Sequence, residues 1–342
     1  MKRVVAGVLV LAGLAAAGIL ADQAVERDRE YHRLILQGDE ALSRGQAFVA
    51  IEFYSGAVAL NRGSMLAYLK RGEAHQRRGD TPETLAAALR DLRRAAELDP
   101  GATRSLDELG DVNLQLPRYA NAAESYQAYT LLDNRSATVF YRLALASRGA
   151  GRLAQAISAL QEAVKLNPAF HEARYVLGLC LRDREQLTDA RAAFERAIGI
   201  SPAFIPAREE LADLHRLQNR RREEIEELEA LAALDPAKAE RLVAVGLAYL
   251  RAGNRESAVT LLGRAAERFP EHPGVYAALG RVWLDAAEER GDPSDLRKAL
   301  EALEPVASPG GDPPAASARA GARRPVRRGR AGIPAGLAAI SR

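Results

Sequence analysis

Apolar positions along this chain recur at helical rather than strand spacing. In residues 171–204, Val176, Leu177, Cys180 and Leu181 follow one another at helical steps, as do Ala190, Ala193, Phe194, Ala197 and Ile198. Each set lines one side of an amphipathic helix. Glycine often stands between the two halves (Gly45, Gly79, Gly151, Gly253), where a chain leaving a helix adopts positive φ. An Asp-Pro, Asn-Pro or Ser-Pro pair closes the second half, because proline cannot continue the preceding helix. The unit then returns. Pro168, Pro202, Pro236 and Pro270 are 34 residues apart, and Pro100 lies two periods before Pro168. Small residues repeat in the same phase at Gly38, Gly72, Gly110, Ala144, Gly178, Ala212, Gly246 and Gly280, and again at Ala122, Ala156, Ala190 and Ala258. Bulky residues fill another column: Tyr126, Leu160, Phe194, Leu228 and Leu262. The small columns let paired backbones approach, and the bulky column fills the space beside them. A lone helix pair cannot bury its apolar stripe, so successive pairs must stack.

This pattern resembles the tetratricopeptide repeat family, whose consensus sets Trp, Leu, Gly and Tyr in the first helix and Ala, a bulky residue, Ala and Pro after it. Leu177, Gly178, Ala190, Phe194, Ala197 and Pro202 match in one repeat, and Val245, Gly246, Gly253, Ala258, Ala265 and Pro270 in another. Eight repeats start near Tyr31, Met65, Thr103, Ala137, His171, Ile205, Ala239 and Pro273. The resemblance implies an all-α protein, a right-handed α-solenoid of about eight stacked helix-turn-helix repeats over residues 31–307. Four features depart from the consensus. TPET after Asp80 predicts a longer turn in the second repeat, and GDPSD a similar extension in the eighth. Glu224 takes a position that elsewhere holds alanine, which predicts a shifted helix or a bend. No polar capping helix follows the eighth repeat.

The two ends differ from the middle. Residues 4–21 carry no charge and follow Lys2 and Arg3, so residues 1–30 read as a signal anchor with its juxtamembrane segment. Eighteen uncharged residues are close to the length a helix needs to span hydrocarbon, and Ile19 before Ala21 disfavours cleavage by a signal peptidase. The positive end stays in the cytoplasm, which puts the repeats on the far side of a bacterial inner membrane; export after cleavage is the alternative. From Ser308 to Arg342, 27 of 35 residues are Gly, Ala, Arg or Pro. Such a segment reads as a disordered tail, an out-of-frame extension or an electrostatic hook for nucleic acid or lipid.

Composition narrows the chemistry. A net charge of +3 announces no nucleic-acid partner, and the single cysteine, Cys180, excludes an internal disulfide and any zinc or iron–sulfur site built on cysteines. The five histidines lie far apart in sequence. No nucleophile elbow, P-loop, HExxH or dinucleotide fingerprint occurs, so neither an enzyme nor a cofactor or metal site is expected. The acidic run from Glu223 to Glu227 reads as a solvated helix face. Cys180, Tyr249 and Trp283 read as core.

Binding remains, and in this family the ligand is a peptide held on the concave face by fixed slots of each first helix. Those slots give Tyr141, Leu145 and Arg148 in the fourth repeat, Tyr175, Leu179 and Arg182 in the fifth, and Glu209, Asp213 and Arg216 in the sixth. The three arginines predict affinity for an acidic side chain or a terminal carboxylate, because a guanidinium binds a carboxylate through two parallel bonds. Against this, 43 of the 48 cations are arginine, and Asp183, Glu209 and Asp213 stand ready to neutralise them. The clamp by which some relatives hold chaperone tails needs Lys and Asn where this chain has Ile35 and Asp39, Leu69 and Glu73, or Asp107 and Asp111. The expected function is a non-enzymatic protein-interaction scaffold in the bacterial envelope. The alternatives are a sensory or assembly module of a larger enzyme or secretion complex, and electrostatic binding through the tail.

Overall fold

The computed structural model describes residues 2–79 and 81–307, with side chains from residue 19 to residue 304; the tail from Ser308 lies outside the described residues. Among the described residues there are sixteen helices and no strand, arranged as successive helical hairpins. The first four hairpins are α1 (Lys2–Ser43) with α2 (Ala47–Leu60), α3 (Met65–Arg78) with α4 (Pro82–Leu98), α5 (Thr103–Gln115) with α6 (Tyr119–Leu132), and α7 (Ala137–Gly149) with α8 (Leu153–Leu166). The next four are α9 (His171–Asp183) with α10 (Leu187–Ile200), α11 (Ile205–Leu217) with α12 (Arg221–Leu234), α13 (Ala239–Arg251) with α14 (Arg255–Arg268), and α15 (Pro273–Arg290) with α16 (Pro293–Ala307). These form two compact units that part between Leu166 and Asn167. Within each unit every helix packs on the next, α3 also meets α5, and α13 also meets α15.

The small and bulky columns meet as their spacing predicts. A Cβ placed on Gly110 would lie 2.4 Å from the Tyr126 ring, one on Gly178 2.4 Å from Phe194, and one on Gly246 2.6 Å from Leu262. The second helix therefore rests on the backbone of the first, and the ring occupies the space a side chain would need. Tyr54, Tyr126, Phe194 and Leu262 are all fully buried there. The alanine column is buried too: Ala122, Ala156, Ala190 and Ala258 have no exposed surface.

Turns follow a second rule. Gly45, Gly151 and Gly253 take φ of 75°, 75° and 77°. At the same position in the fifth and sixth hairpins, Glu185 and Asn219 take φ of 63° and 60° without being glycine. The left-handed residue thus recurs at this turn whether or not glycine is present, and Glu185 and Asn219 adopt it at a steric cost.

The two insertions sit elsewhere than the sequence suggests. TPET does not lengthen a turn. Thr81 caps α4, Thr84 completes a reciprocal capping box with it, and Pro82 opens the helix, so three of the four added residues lengthen this 17-residue helix at its start. GDPSD likewise leaves a short junction, because α15 runs on for 18 residues to a left-handed Gly291 and α16 begins at Pro293.

Glu224 is also a correction. It does not lie on a solvated face with the rest of its acidic run but is 1 % exposed. Its carboxylate meets Arg251 at 2.5 Å and Arg221 at 3.4 Å. The pair with Arg251 joins α12 to α13, so the position that in other repeats packs an alanine here carries an ionic link. Cys180 is buried, as expected. Tyr249 and Trp283 are half-buried: Tyr249 donates to Glu229 at 2.5 Å, and Lys298 sits 4.4 Å above the Trp283 ring.

α1 runs without interruption across the expected boundary at residue 30. Among the described residues no helix is long and apolar enough to cross a membrane. The side chains of residues 4–18, most of the apolar run, lie outside them.

Candidate functional site

Consecutive first helices are tied side by side by polar contacts that cross from one repeat to the next. In the first unit Lys70 reaches Asp39 at 2.6 Å, Arg104 reaches Glu73 at 2.7 Å, and Arg142 lies 2.9 Å from Asp107 and 3.3 Å from Asp111. In the second unit Arg182 pairs with Glu210, Arg241 with Glu209 at 2.5 Å, and His272 with Glu240 at 3.1 Å. Each link spans about one repeat in sequence, so it places chemically specific groups on the same face of neighbouring helices.

Hydroxyls extend this network into the core of the first unit. Tyr54 donates to Asp39 at 2.6 Å and Tyr126 to Asp111 at 2.5 Å. In both cases the acceptor follows the glycine on which the ring rests. Burial, and then the neighbouring carboxylate, push the Tyr126 phenol far above its ordinary range. Asp39, Glu73, Asp107 and Asp111 are the residues that deny this chain a chaperone-tail clamp, and they anchor most of the ties in this unit. The sequence signal for them was the coincidence of tyrosine in the bulky column with aspartate after the glycine.

Glu108, half-buried on α5, stands among these acids. Burial raises its carboxyl to about 7, and the charges of Glu73, Asp111 and Asp107 add to the effect. Between the ordinary value of 4.5 and about 7, the folded chain holds a proton that the unfolded chain has lost. Stability therefore falls as pH rises through that interval and is level above it. Glu108→Gln is expected to remove this dependence and to stabilise the protein at pH 8 by on the order of 1 kcal/mol, a figure reduced for the solvent that reaches the group. Thermal unfolding of both proteins from pH 4 to pH 8 checks it.

The nine residues singled out for peptide binding divide into three groups. Tyr141, Tyr175 and Leu179 were expected on an open face and are buried instead. Tyr175 packs its ring edge-on against Phe204, with centroids 5.4 Å apart, and tilted against Phe194 at 5.9 Å. Leu145, Arg148 and Arg182 are half-buried, while Glu209, Asp213 and Arg216 are exposed. Arg148 belongs to the first unit, whereas Arg182 and Arg216 belong to the second.

The second unit's two arginines already hold carboxylates. Arg182 pairs with Glu210 and lies 3.3 Å from Asp183, and Arg216 meets Asp213 at 2.7 Å. Burial works against the charge of Arg182, but Glu210 and Asp183 outweigh it and hold the guanidinium more firmly protonated. Among the described residues no group of three or more His, Cys, Asp or Glu side chains is placed to hold a metal ion.

Tetratricopeptide repeat profiles match residues 83–136, 141–203 and 239–282. Among solved structures, a tetratricopeptide repeat protein from Parabacteroides merdae is 16 % identical, with a TM-score of 0.51 over 81 % of this chain and 99 % of that one. It shares the fold. YrrB, described as a TPR protein with an unusual peptide-binding site, is 22 % identical over 56 % of this chain and 96 % of its own, with a TM-score of 0.48. MamA is 27 % identical over 49 % and 96 %, with a TM-score of 0.46. No protein with a curated description matches the chain.

Proposed function

We propose that residues 31–307 form a non-enzymatic scaffold that captures a segment of another protein along the faces of its first helices, tethered to a bacterial inner membrane by the apolar start of α1. The cross-repeat ties support this reading above all. They fix polar groups in a row that advances by one helix per repeat, as in Asp39–Lys70, Glu73–Arg104 and Asp107–Arg142. Such a row suits an extended chain, and groups already held in place lose little freedom when a ligand arrives.

An acidic or terminal carboxylate on the partner is the finer part of the proposal. In the second unit it would bind by replacing Glu210 or Asp213 on Arg182 or Arg216. One carboxylate then substitutes for another, so selectivity must come from the apolar contacts beside the exchange rather than from net charge.

Photo-cross-linking residues at Leu145 and Arg216, on first helices, and at Glu124 and Arg222, exposed on second helices, separate the faces. Discrete protein adducts from 145 and 216 and none from 124 and 222 are expected in membranes expressing the full chain. Adducts confined to the second-helix positions would refute the face assignment.

A further inference from the structure

α1 is at once the first helix of the first hairpin and a rod that projects beyond it. From Tyr31 onward it packs against α2, and the residues before Tyr31 continue as the same helix. Residues 19–37 contain neither glycine nor proline. A sharp bend in a helix needs such a residue or an interruption of its hydrogen-bond ladder, and no break is present here.

Two contacts fix the height at which the hairpins begin along this rod. The Tyr31 hydroxyl lies 2.6 Å from Ser64 Oγ, the residue that caps α3. Leu60, the last residue of α2, shares a shallow recess with Gln23, Glu26, Arg27 and Glu30 of α1. First helices in this unit all run the same way, because each is joined by a short turn to a second helix that returns along it, and the ties of Asp39 to Lys70, Glu73 to Arg104 and Asp107 to Arg142 set each first helix beside the next. The junctions between hairpins, at residues 61–64, 99–102 and 133–136, therefore lie on the edge from which the rod projects.

This inference rests on the tether proposed above. With the apolar run ending at Ala21, Glu26 and Glu30 stand about 7 and 13 Å beyond it at 1.5 Å per residue. The headgroup layer on each side of a bilayer is roughly 5–7 Å deep. Leu60, level with these residues, thus stands at the outer margin of the headgroup layer.

We infer that the junction edge of residues 31–166 faces the bilayer and rests on its headgroups, with Leu131 and Leu132 as the apolar contact. Leu131 is 82 % exposed and Leu132 51 %, both at the end of α6 on this edge. Arg62, Arg135 and Lys165 are exposed along the same edge; Arg135 rests on Asp133 at 3.0 Å and Lys165 on Glu162 at 3.1 Å, solvated pairs that a lipid phosphate can compete for, and Arg62 adds a third cation. Leucine beside basic residues suits the headgroup region of a membrane, where both apolar and charged contacts are offered.

The test uses the full chain with Cys180→Ala and one new cysteine at a time. Arg62→Cys, Leu131→Cys and Arg135→Cys report on the junction edge, and Arg44→Cys, Arg118→Cys and Arg152→Cys on the opposite edge. Each carries a bimane label and is reconstituted into phosphatidylcholine–phosphatidylglycerol vesicles containing a headgroup-nitroxide lipid. Quenching several-fold stronger on the junction edge, greatest at 131, is expected. Flotation with the vesicles but equal quenching on both edges overturns the orientation and leaves the tether standing. Absence of flotation overturns the tether itself, and the orientation with it. Uniformly weak quenching at 131 that is relieved only when a membrane protein is extracted would assign the leucines to a protein neighbour and overturn the lipid contact.

Discussion

Arg251→Ala is expected to destabilise the second unit by about 3–5 kcal/mol, because it removes one partner of a buried charge pair. Glu224 stays behind with 1 % of its surface exposed, and its remaining cation, Arg221, stands 3.4 Å away. Glu224→Ala should cost much less. It removes the carboxylate with its desolvation penalty and installs the residue found at Ala122, Ala156, Ala190 and Ala258. The double variant should resemble Glu224→Ala alone, since the arginine, 37 % exposed along its side chain, can turn to water. Chemical denaturation of the three variants measures this. Equal losses from the two single substitutions would mean that the pair is no more than a surface contact.

Phe194→Ala is expected to cost about 3–5 kcal/mol, the range for emptying an aromatic site in a core. Its ring is fully buried on Gly178 and touches Tyr175. Gly178→Ala attacks the same contact from the other side. Alanine favours the helix, but its Cβ would fall 2.4 Å from the ring, and overpacking of this kind costs about 1–3 kcal/mol. The chain itself contains the compensated version, since Ala144 and Leu160 occupy these positions one repeat earlier and both are buried. Gly178→Ala combined with Phe194→Leu should therefore cost less than the sum of the two single changes. Strict additivity would show that the glycine and the ring do not share one space.

The hairpins were legible because a constant period and a constant phase constrain every repeat. Gly178 and Phe194 could be matched before any coordinate was known, since close approach of two helices leaves few solutions. Glu224 was legible as a misfit but not as an ionic link, because Arg251 lies 27 residues away and one arginine among so many carries no signal of its own. The same abundance hid the fate of Arg182 and Arg216, whose carboxylates share their helix or lie on the next one. Tyr141, Tyr175 and Leu179 were read as exposed from their slot in the first helix. The slot fixes a direction along the helix but not the width of the neighbour that covers it, and Phe204 covers Tyr175. TPET was misread because threonine and proline signal both a turn and a helix start, and the reciprocal bonding of Thr81 with Thr84 decides between them.

That capping box bears on how such a chain can change its length. α4 exceeds the 14-residue helices α2, α6 and α8 by three residues, close to one helical turn of 3.6, so material added at its start leaves Leu89 and Leu92 aimed close to where they were. Two residues at the same place would swing both leucines toward water. Growth of a repeat at this point is therefore tolerated in whole turns, which makes the start of α4 a natural place to graft a short tag or a reporter without disturbing the hairpins downstream.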